Sequence, residues 1–579
     1  MLDFSSLSMD IEGGFSETTD QELDAMATAL SKHFGSDVSL VEEGSGAVVA
    51  SKDHIGLPRR QSPDTVEPAT EREREVLEEI ETILQGGPER GHEKLEQIGK
   101  LFVRDRIDRL FDEILFEDGT FASYDAEENL AADAMVTGAG LINDRKVFFA
   151  ANDYTVKAGT IADKSIEKLV RMQEHAIEAN APIIYLIDSS GGRIDVQSTF
   201  YADRYHGGKQ FYNQCIMSGR VPQIAIMYGP NFAGTAYQPV FSDYLIMVRD
   251  ISAMAIASPR MVEMVTGTET SIEDLGSPDM HARHTGSVDI VVDDEAEAAA
   301  TVHDLLEYLP QNYRQQPTRA SSRPPTEDTA ATDTVIPDDP NAPYDVHRLI
   351  DHIVDEGSFL ELKPEFAPEM VTGLGRIDGR SIGVLANQPA VKSGAIYPDS
   401  SLKAAGFVWQ CDAYNIPLLY LCDSPGYMVG EQIEREGILQ KGRKLVYATS
   451  CATVPKVSVF VRKGYGAATY AMAGPSFDTD ATLALPSSEI AVMGPKAAVN
   501  AVYANKLADI DDPEKRAQRE KELRKEYRED IDIHKLASEM VVDELVPPRD
   551  LRAEIANRFE MYDGKEKHRP DRKHGAMLF

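Results

Sequence analysis

The chain repeats itself, and that limits its fold more than any other feature. Met135-Val-Thr-Gly-Ala-Gly-Leu-Ile-Asn-Asp-Arg145 returns as Met370-Val-Thr-Gly-Leu-Gly-Arg-Ile-Asp-Gly-Arg380, 235 positions later. The register persists in Asn180-Ala-Pro-Ile-Ile-Tyr-Leu-Ile-Asp188 and Asn415-Ile-Pro-Leu-Leu-Tyr-Leu-Cys-Asp423, again 235 apart. Val221-Pro-Gln-Ile-Ala-Ile-Met227 answers Val454-Pro-Lys-Val-Ser-Val-Phe460 at 233, and Ala233-Gly234-Thr235 answers Ala467-Ala468-Thr469 at 234. Matches that hold nearly one offset across such a span mean tandem homologous domains of about 220 residues each. At 579 residues the chain exceeds what one hydrophobic core serves, which agrees with that division.

Each copy reads as alternating strand and helix. Runs 183–187 and 418–422 are short and apolar, with Pro before and Asp-Ser-Gly or Asp-Ser-Pro-Gly after, as strands buried on both faces should be. Amphipathic stretches 163–179 and 400–414 precede them as helices. The class is α/β, and function is expected in the loops that follow strands. The expected domains are an arm at 1–90, domains at 91–315 and 343–565, a Pro-rich linker at 316–342 and a tail at 566–579. In the arm, Thr19 to Gly35 has capping-box form with helical spacing behind it, and Val76, Ile80, Ile83 and Leu84 line a second helix.

Composition removes several function classes. Asp and Glu number 96 against 59 Lys and Arg, a net charge of −37, and such a surface repels nucleic acid. An acidic coat with 25 Lys to 34 Arg fits adaptation to high internal salt. No apolar run approaches the roughly 20 residues that cross a bilayer, and Met1-Leu-Asp-Phe-Ser-Ser has no secretory signal form, so a cytoplasmic location is expected. Cys215, Cys411, Cys422 and Cys451 lack C-x-x-C spacing and are expected to be buried thiols. His281 and His284 have no third ligand nearby and read as ordinary histidines; no metal site is expected. The charged stretch Lys515 to Asp530 reads as a solvated helix.

Two loops stand out as chemistry. Gly229-Pro-Asn-Phe-Ala-Gly-Thr-Ala-Tyr237 and Gly464-Tyr-Gly-Ala-Ala-Thr-Tyr470 are small-residue runs that lead from strands into helices, so backbone N–H groups could face a ligand oxygen. Small residues serve helix–sheet packing equally well, but the feature occurs in both copies.

From about Arg104 onward the chain resembles the carboxyltransferase (β) subunit of biotin-dependent acyl-CoA carboxylases, of the propionyl-CoA and methylcrotonyl-CoA type. The likeness is carried by Arg104-Asp-Arg-Ile-Asp-Arg-Leu110, Asp188-Ser-Ser-Gly-Gly-Arg193, Phe211-Tyr-Asn-Gln-Cys-Ile-Met217, the Gly229 loop, Cys422-Asp-Ser-Pro-Gly-Tyr-Met428 and Arg572-Lys-His-Gly575. The resemblance implies two crotonase-type domains and transfer of a carboxyl group from carboxybiotin to an acyl-CoA. It implies oxyanion holes built from the N–H groups of Ala233 and Gly234 and of Ala467 and Ala468. Gly466 and Tyr470 would lie on the biotin side, and Lys157, Gly191 and Gly192 on the acyl-CoA side. It further implies a hexamer and a partner chain that loads and carries biotin, since this chain has no Met-Lys-Met motif. Ala233 stands where the family usually has Gly, which matters if that position needs a positive φ. A sodium-pumping decarboxylase α subunit shares the resemblance, and a non-catalytic scaffold would share the fold.

Overall fold

The computed structural model describes residues 38–41, 48–52, 68–124 and 130–574. It divides into Met1–Leu77 and Glu78–Phe579. In the first unit Val38–Val41 pairs antiparallel with Val48–Lys52, a hairpin that the sequence reading did not anticipate. The capping-box helix expected at 19–35 lies outside the described residues. The second expected helix is present as Glu71–Leu84.

The second unit contains the duplication as two sheets of the same topology. The first runs Ile290–Val292, Tyr244–Val248, Gln223–Met227, Ile183–Ile187, Arg145–Asn152, Met135–Ile142, Glu113–Asp118. The second runs, from its opposite edge, Leu360–Leu362, Met370–Ile377, Arg380–Asn387, Leu418–Ser424, Lys456–Tyr465, Ala481–Ala484, Glu544–Leu545. In each, an antiparallel meander of three strands turns parallel at the Asn that ends the third: Asn152 in one copy, Asn387 in the other. The side chains of these asparagines make equal bonds, Nδ2 to the Gly159 and Gly394 carbonyls and Oδ1 from the Asp188 and Asp423 amides. A parallel start needs a crossover, and helices Asp163–Ala179 and Pro398–Ala413 supply it. These crotonase-type domains stand in tandem.

Continuous apolar strands require cover on both faces. Tyr185, Ile183 and Ile187 pack on Ile166, Leu169 and Val170 of the crossover helix. Ile184 and Leu186 face the other way, toward Ile107, Leu110, Val302 and Leu305. That same cluster continues into Phe407, Val408, Tyr414 and Tyr420 of the second copy, so the copies share a core. Where they meet, Tyr414 donates its O–H to Asp243 Oδ2 at 2.5 Å, and Gln410 Nε2 donates to the Asp243 carbonyl at 2.6 Å.

The Pro-rich stretch 316–342 is packed on the protein. Thr332, Val335 and Ile336 are buried, and the Ala320 amide bonds the Gly379 carbonyl. The expectation of four buried cysteines holds for Cys411 and Cys422 only. Cys215 is exposed and Cys451 half-buried, because both lie on the outer sides of helices, Gly207–Met217 and Ile438–Cys451. His281 is buried and bonds the Met254 carbonyl and Thr285. The charged helix spans Pro513–Asp530. No helix among the described residues is long and apolar enough to cross a membrane.

Candidate active site

All the expected first-copy residues lie in loops that leave the carboxyl edge of the first sheet, where open α/β folds bind ligands. The turn Lys157-Ala158-Gly159 follows strand Arg145–Asn152 and is left-handed throughout, with φ of 50°, 55° and 66°. It is bound to the next loop: Ser190 donates to the Ala158 carbonyl at 3.1 Å and Ile161 to the Gly191 carbonyl at 3.0 Å. Lys157, Gly191 and Gly192 are thereby neighbours. A Cβ on Gly159 would fall 2.0 Å from the Asp188 carbonyl, so this close approach requires glycine. The second copy repeats the turn at Lys392-Ser393-Gly394.

The loop after Gln223–Met227 is set by backbone pairing. Pro230–Phe232 runs parallel to Ala253–Ala255, just as the end of Lys456–Tyr465 runs parallel to Glu489–Ala491. Phe232 therefore matches Tyr465, and the loops align at an offset of 233, one less than the residue match gave. On this register Ala233 corresponds to Gly466, Gly234 to Ala467 and Tyr237 to Tyr470.

Local geometry supports the register. Ala233 and Gly466 both have positive φ, 55° and 58°. Both spend their amide on the neighbouring strand, Ala233 to Ala255 at 3.2 Å and Gly466 to Ala491 at 2.8 Å. This corrects the expectation for Ala233: its N–H is already committed within the fold. Among the described residues no protein acceptor faces the amides of Gly234 and Thr235, or of Ala467 and Ala468. Gly234 and Ala467 are exposed, whereas Thr235 and Ala468 are buried. Each copy thus has two amides without a protein acceptor just after a left-handed bend, at equivalent places, the first of them on an exposed residue. A Cβ at Gly234 would touch nothing within 4 Å, so there is open space beside this residue.

Ala233, at ψ −125° with its positive φ, occupies a conformation that suits glycine, and such strain gathers at functional bends. Aromatic rings flank both loops. Tyr237 is about half exposed, with centroids 6.3 Å from Phe211 and Phe241, and Tyr470 stacks on Phe477 at 5.5 Å.

Beneath the loops lie ions that the sequence reading passed over. Asp188 and Asp423, both 1% exposed, close the central strands. Lys100 and Arg106 reach Asp188, each at 2.9 Å, and Arg462 and Lys463 reach Asp423 at 2.7 and 3.4 Å. Burial works against the Arg106 cation, but Glu295 and Asp188 outweigh it and raise its pKa above the ordinary value. Arg106 and Arg462 also lie over tyrosine rings, Tyr228 at 4.3 Å and Tyr344 at 4.7 Å. The signal that could have found these ions was the aspartate shared by both copies at the 235 offset.

No group of acidic, histidine or cysteine side chains among the described residues is arranged to hold a metal ion. In each loop two N–H groups have no protein acceptor among the described residues, an arrangement suited to an oxygen that gains negative charge.

The carboxyl transferase domain family matches residues 94–577. An uncharacterized carboxylase, YngE, of Bacillus subtilis is 47% identical, over 87% of this chain and 98% of its own. The propionyl-CoA carboxylase carboxyltransferase subunit of Haloferax mediterranei is 38% identical, over 87% and 98%. A solved transcarboxylase 12S structure, a hexamer with methylmalonyl-coenzyme A bound, superposes with a TM-score of 0.82 at 35% identity, covering 88% of this chain and 99% of that one. This chain belongs to the carboxyl transferase domain family.

Proposed function

We propose that the chain transfers a carboxyl group from carboxybiotin, borne by a separate carrier chain, to the α-carbon of an acyl-CoA. One observation carries the reading: the paired amides of Gly234 and Ala467, without a protein acceptor among the described residues and each after a positive-φ bend. Bound carboxybiotin supplies the carboxyl group and takes up the α-proton. The chain's part is electrostatic. The Gly234 amide donates to the thioester oxygen as enolate charge develops, and Ala467 donates to the ureido oxygen on the biotin side, where Gly466 and Tyr470 also stand. Thr235 and Ala468 sit one residue deeper and complete the two holes. A fixed donor needs no reorganisation at the moment of reaction and is worth about 3–4 kcal/mol of barrier. Lys157, Gly191 and Gly192, neighbours at the same sheet edge, serve the acyl-CoA side.

The functional unit is a hexamer in which the two domains of different subunits complete each site. The exposed apolar residues Val240, Met264 and Val265 of the first copy and Val429 and Val492 of the second suit burial in such contacts. The net charge of −37 fits a cytoplasm of high salt. Purified chain with free biotin and malonyl- or methylmalonyl-CoA tests the chemistry. Biotin-dependent decarboxylation is expected; its absence with every acyl-CoA tried would favour the scaffold. Acetyl-, propionyl-, methylcrotonyl- and geranyl-CoA, assayed with the carrier chain supplied, identify the substrate, and a requirement for ATP separates the carboxylase from the sodium-pumping decarboxylase.

A further inference from the structure

The two buried aspartates are equivalent, but their cations come from different parts of the chain. Asp423 is met by Arg462 and Lys463, adjacent residues on the strand that leads into the Gly466 bend. At the positions corresponding to those two, the first copy has Gly229 and Pro230. Its cations arrive from ahead of the first strand of its sheet, as Lys100 and Arg106.

Gly229 explains why. A Cβ there would fall 2.1 Å from Asp188 Oδ1 and 2.9 Å from Lys100 Nζ, so the first loop rests directly on the ion pair. Arg106 is held in turn by Glu295, at 2.6 Å through Nε and 3.0 Å through Nη2, and lies over the ring of Tyr228, the residue before Gly229. Glu295 also accepts the Leu101 amide at 3.1 Å. Lys100, Arg106, Asp188 and Glu295 are 8%, 3%, 1% and 9% exposed, a charge-balanced cluster inside the protein. Such clusters add little stability over apolar packing, so a role in placement accounts better for the cost of burying them.

We infer that Lys100 and Arg106 are positioning residues for the first loop: acting through Asp188 and Gly229, they fix where the Gly234 amide stands. The inference rests on the proposed role of that amide. An interaction made only as charge develops alters kcat rather than KM, so a displaced amide slows turnover and leaves acyl-CoA binding in place.

The test uses full-length chain with its carrier subunit and compares Lys100→Met, Lys100→Arg and Gly229→Ala with the parent. Carboxyl transfer is measured together with amide hydrogen exchange of peptides 228–237 and 461–472. Lys100→Met should lower kcat roughly tenfold, part of the 10²–10³ that one lost donor costs, with KM for acyl-CoA changed less than about twofold. Exchange should quicken in 228–237 and stay unchanged in 461–472, whose aspartate has its own cations. Lys100→Arg should restore most of the rate. Gly229→Ala, whose Cβ presses the same loop off the ion pair, should give the same pattern if Lys100→Met does not fold. Parental kcat despite faster exchange, equal loosening of both loops, or unchanged exchange in both Lys100→Met and Gly229→Ala would each overturn the inference. If the parent transfers no carboxyl group at all, the proposed function fails, and the exchange contrast still decides the positioning.

Discussion

The two copies hold the same skeleton and balance the same buried charge with different residues. In the second, Arg462 and Lys463 neutralise Asp423 from within the fold, and the linker ahead of it contributes only carbonyls: Asp339 and Ala342 to Arg462 at 3.1 and 3.0 Å, Pro340 to Lys463 at 3.0 Å. In the first, the stretch ahead of the first strand of the sheet contributes the cations themselves. What persists after duplication is a buried aspartate met by two cations; the element that supplies the cations is free to change. The same exchange occurs at the opposite edge of the sheets. Gln223 of the first copy corresponds to Lys456, whose Nζ bonds the Thr449 and Phe477 carbonyls, each at 2.8 Å, close to the basic tail residues 565–569.

The largest effect is expected where the copies agree. Gly234→Val places a branched side chain in the open space beside the first amide, at a φ that any residue adopts, and should reduce carboxyl transfer more than about 10³-fold with the thermal midpoint nearly unchanged. Activity assays beside thermal scans decide it; normal turnover would remove the first loop from the chemistry. Arg462→Met tests the self-contained copy. Leaving Asp423 with Lys463 alone should cost about 3–5 kcal/mol, read as a lowered denaturation midpoint. A stable variant would mean that Asp423 is held by its amide contacts.

Lys456→Gln converts the second copy to the first. Burial, reinforced by Lys567, Arg569 and Lys565, pushes the Lys456 ammonium down to about 7. Its folded pKa lies below its unfolded one, so the cost of charging it is full below about pH 7 and fades as pH rises toward about 10.4. The substitution should therefore raise the melting temperature most at pH 6.5 and little at pH 10. An equal gain at both would exclude titration of Lys456 as its cause. The smallest effect belongs to Ala233→Gly, which gives the first bend the residue of the second. Relief of a φ of 55° should stabilise by about 1 kcal/mol or less, visible as a slightly higher melting temperature.

Much of this was legible in the sequence. Strand Ile183–Ile187 and helices Asp163–Ala179 and Glu71–Leu84 stand where periodicity put them, because long apolar patterns report burial directly. The one-residue slip between the loops has a physical cause. Identity favoured pairing Ala233 with Ala467, but the bend depends on φ, and alanine at 233 adopts the conformation that glycine takes at 466. The commitment of the Ala233 amide to Ala255 was invisible for the same reason: it follows from a short strand pairing of three residues. Nor could local pattern join Lys100 to Asp188, 88 residues apart. The motif Arg104 to Leu110 showed family likeness without showing that Arg106 would turn inward among carboxylates.

The central claim is that main-chain hydrogens, one set per copy, carry the chemistry. Ala467→Pro tests it most directly. Ala467 has φ −69°, which proline shares, and its amide has no acceptor among the described residues, so the substitution deletes one N–H and little else. With carrier and acyl-CoA supplied, the account predicts a fall in kcat of about 10²–10³ in a chain that melts within a few degrees of the parent; parental turnover in that variant would contradict it.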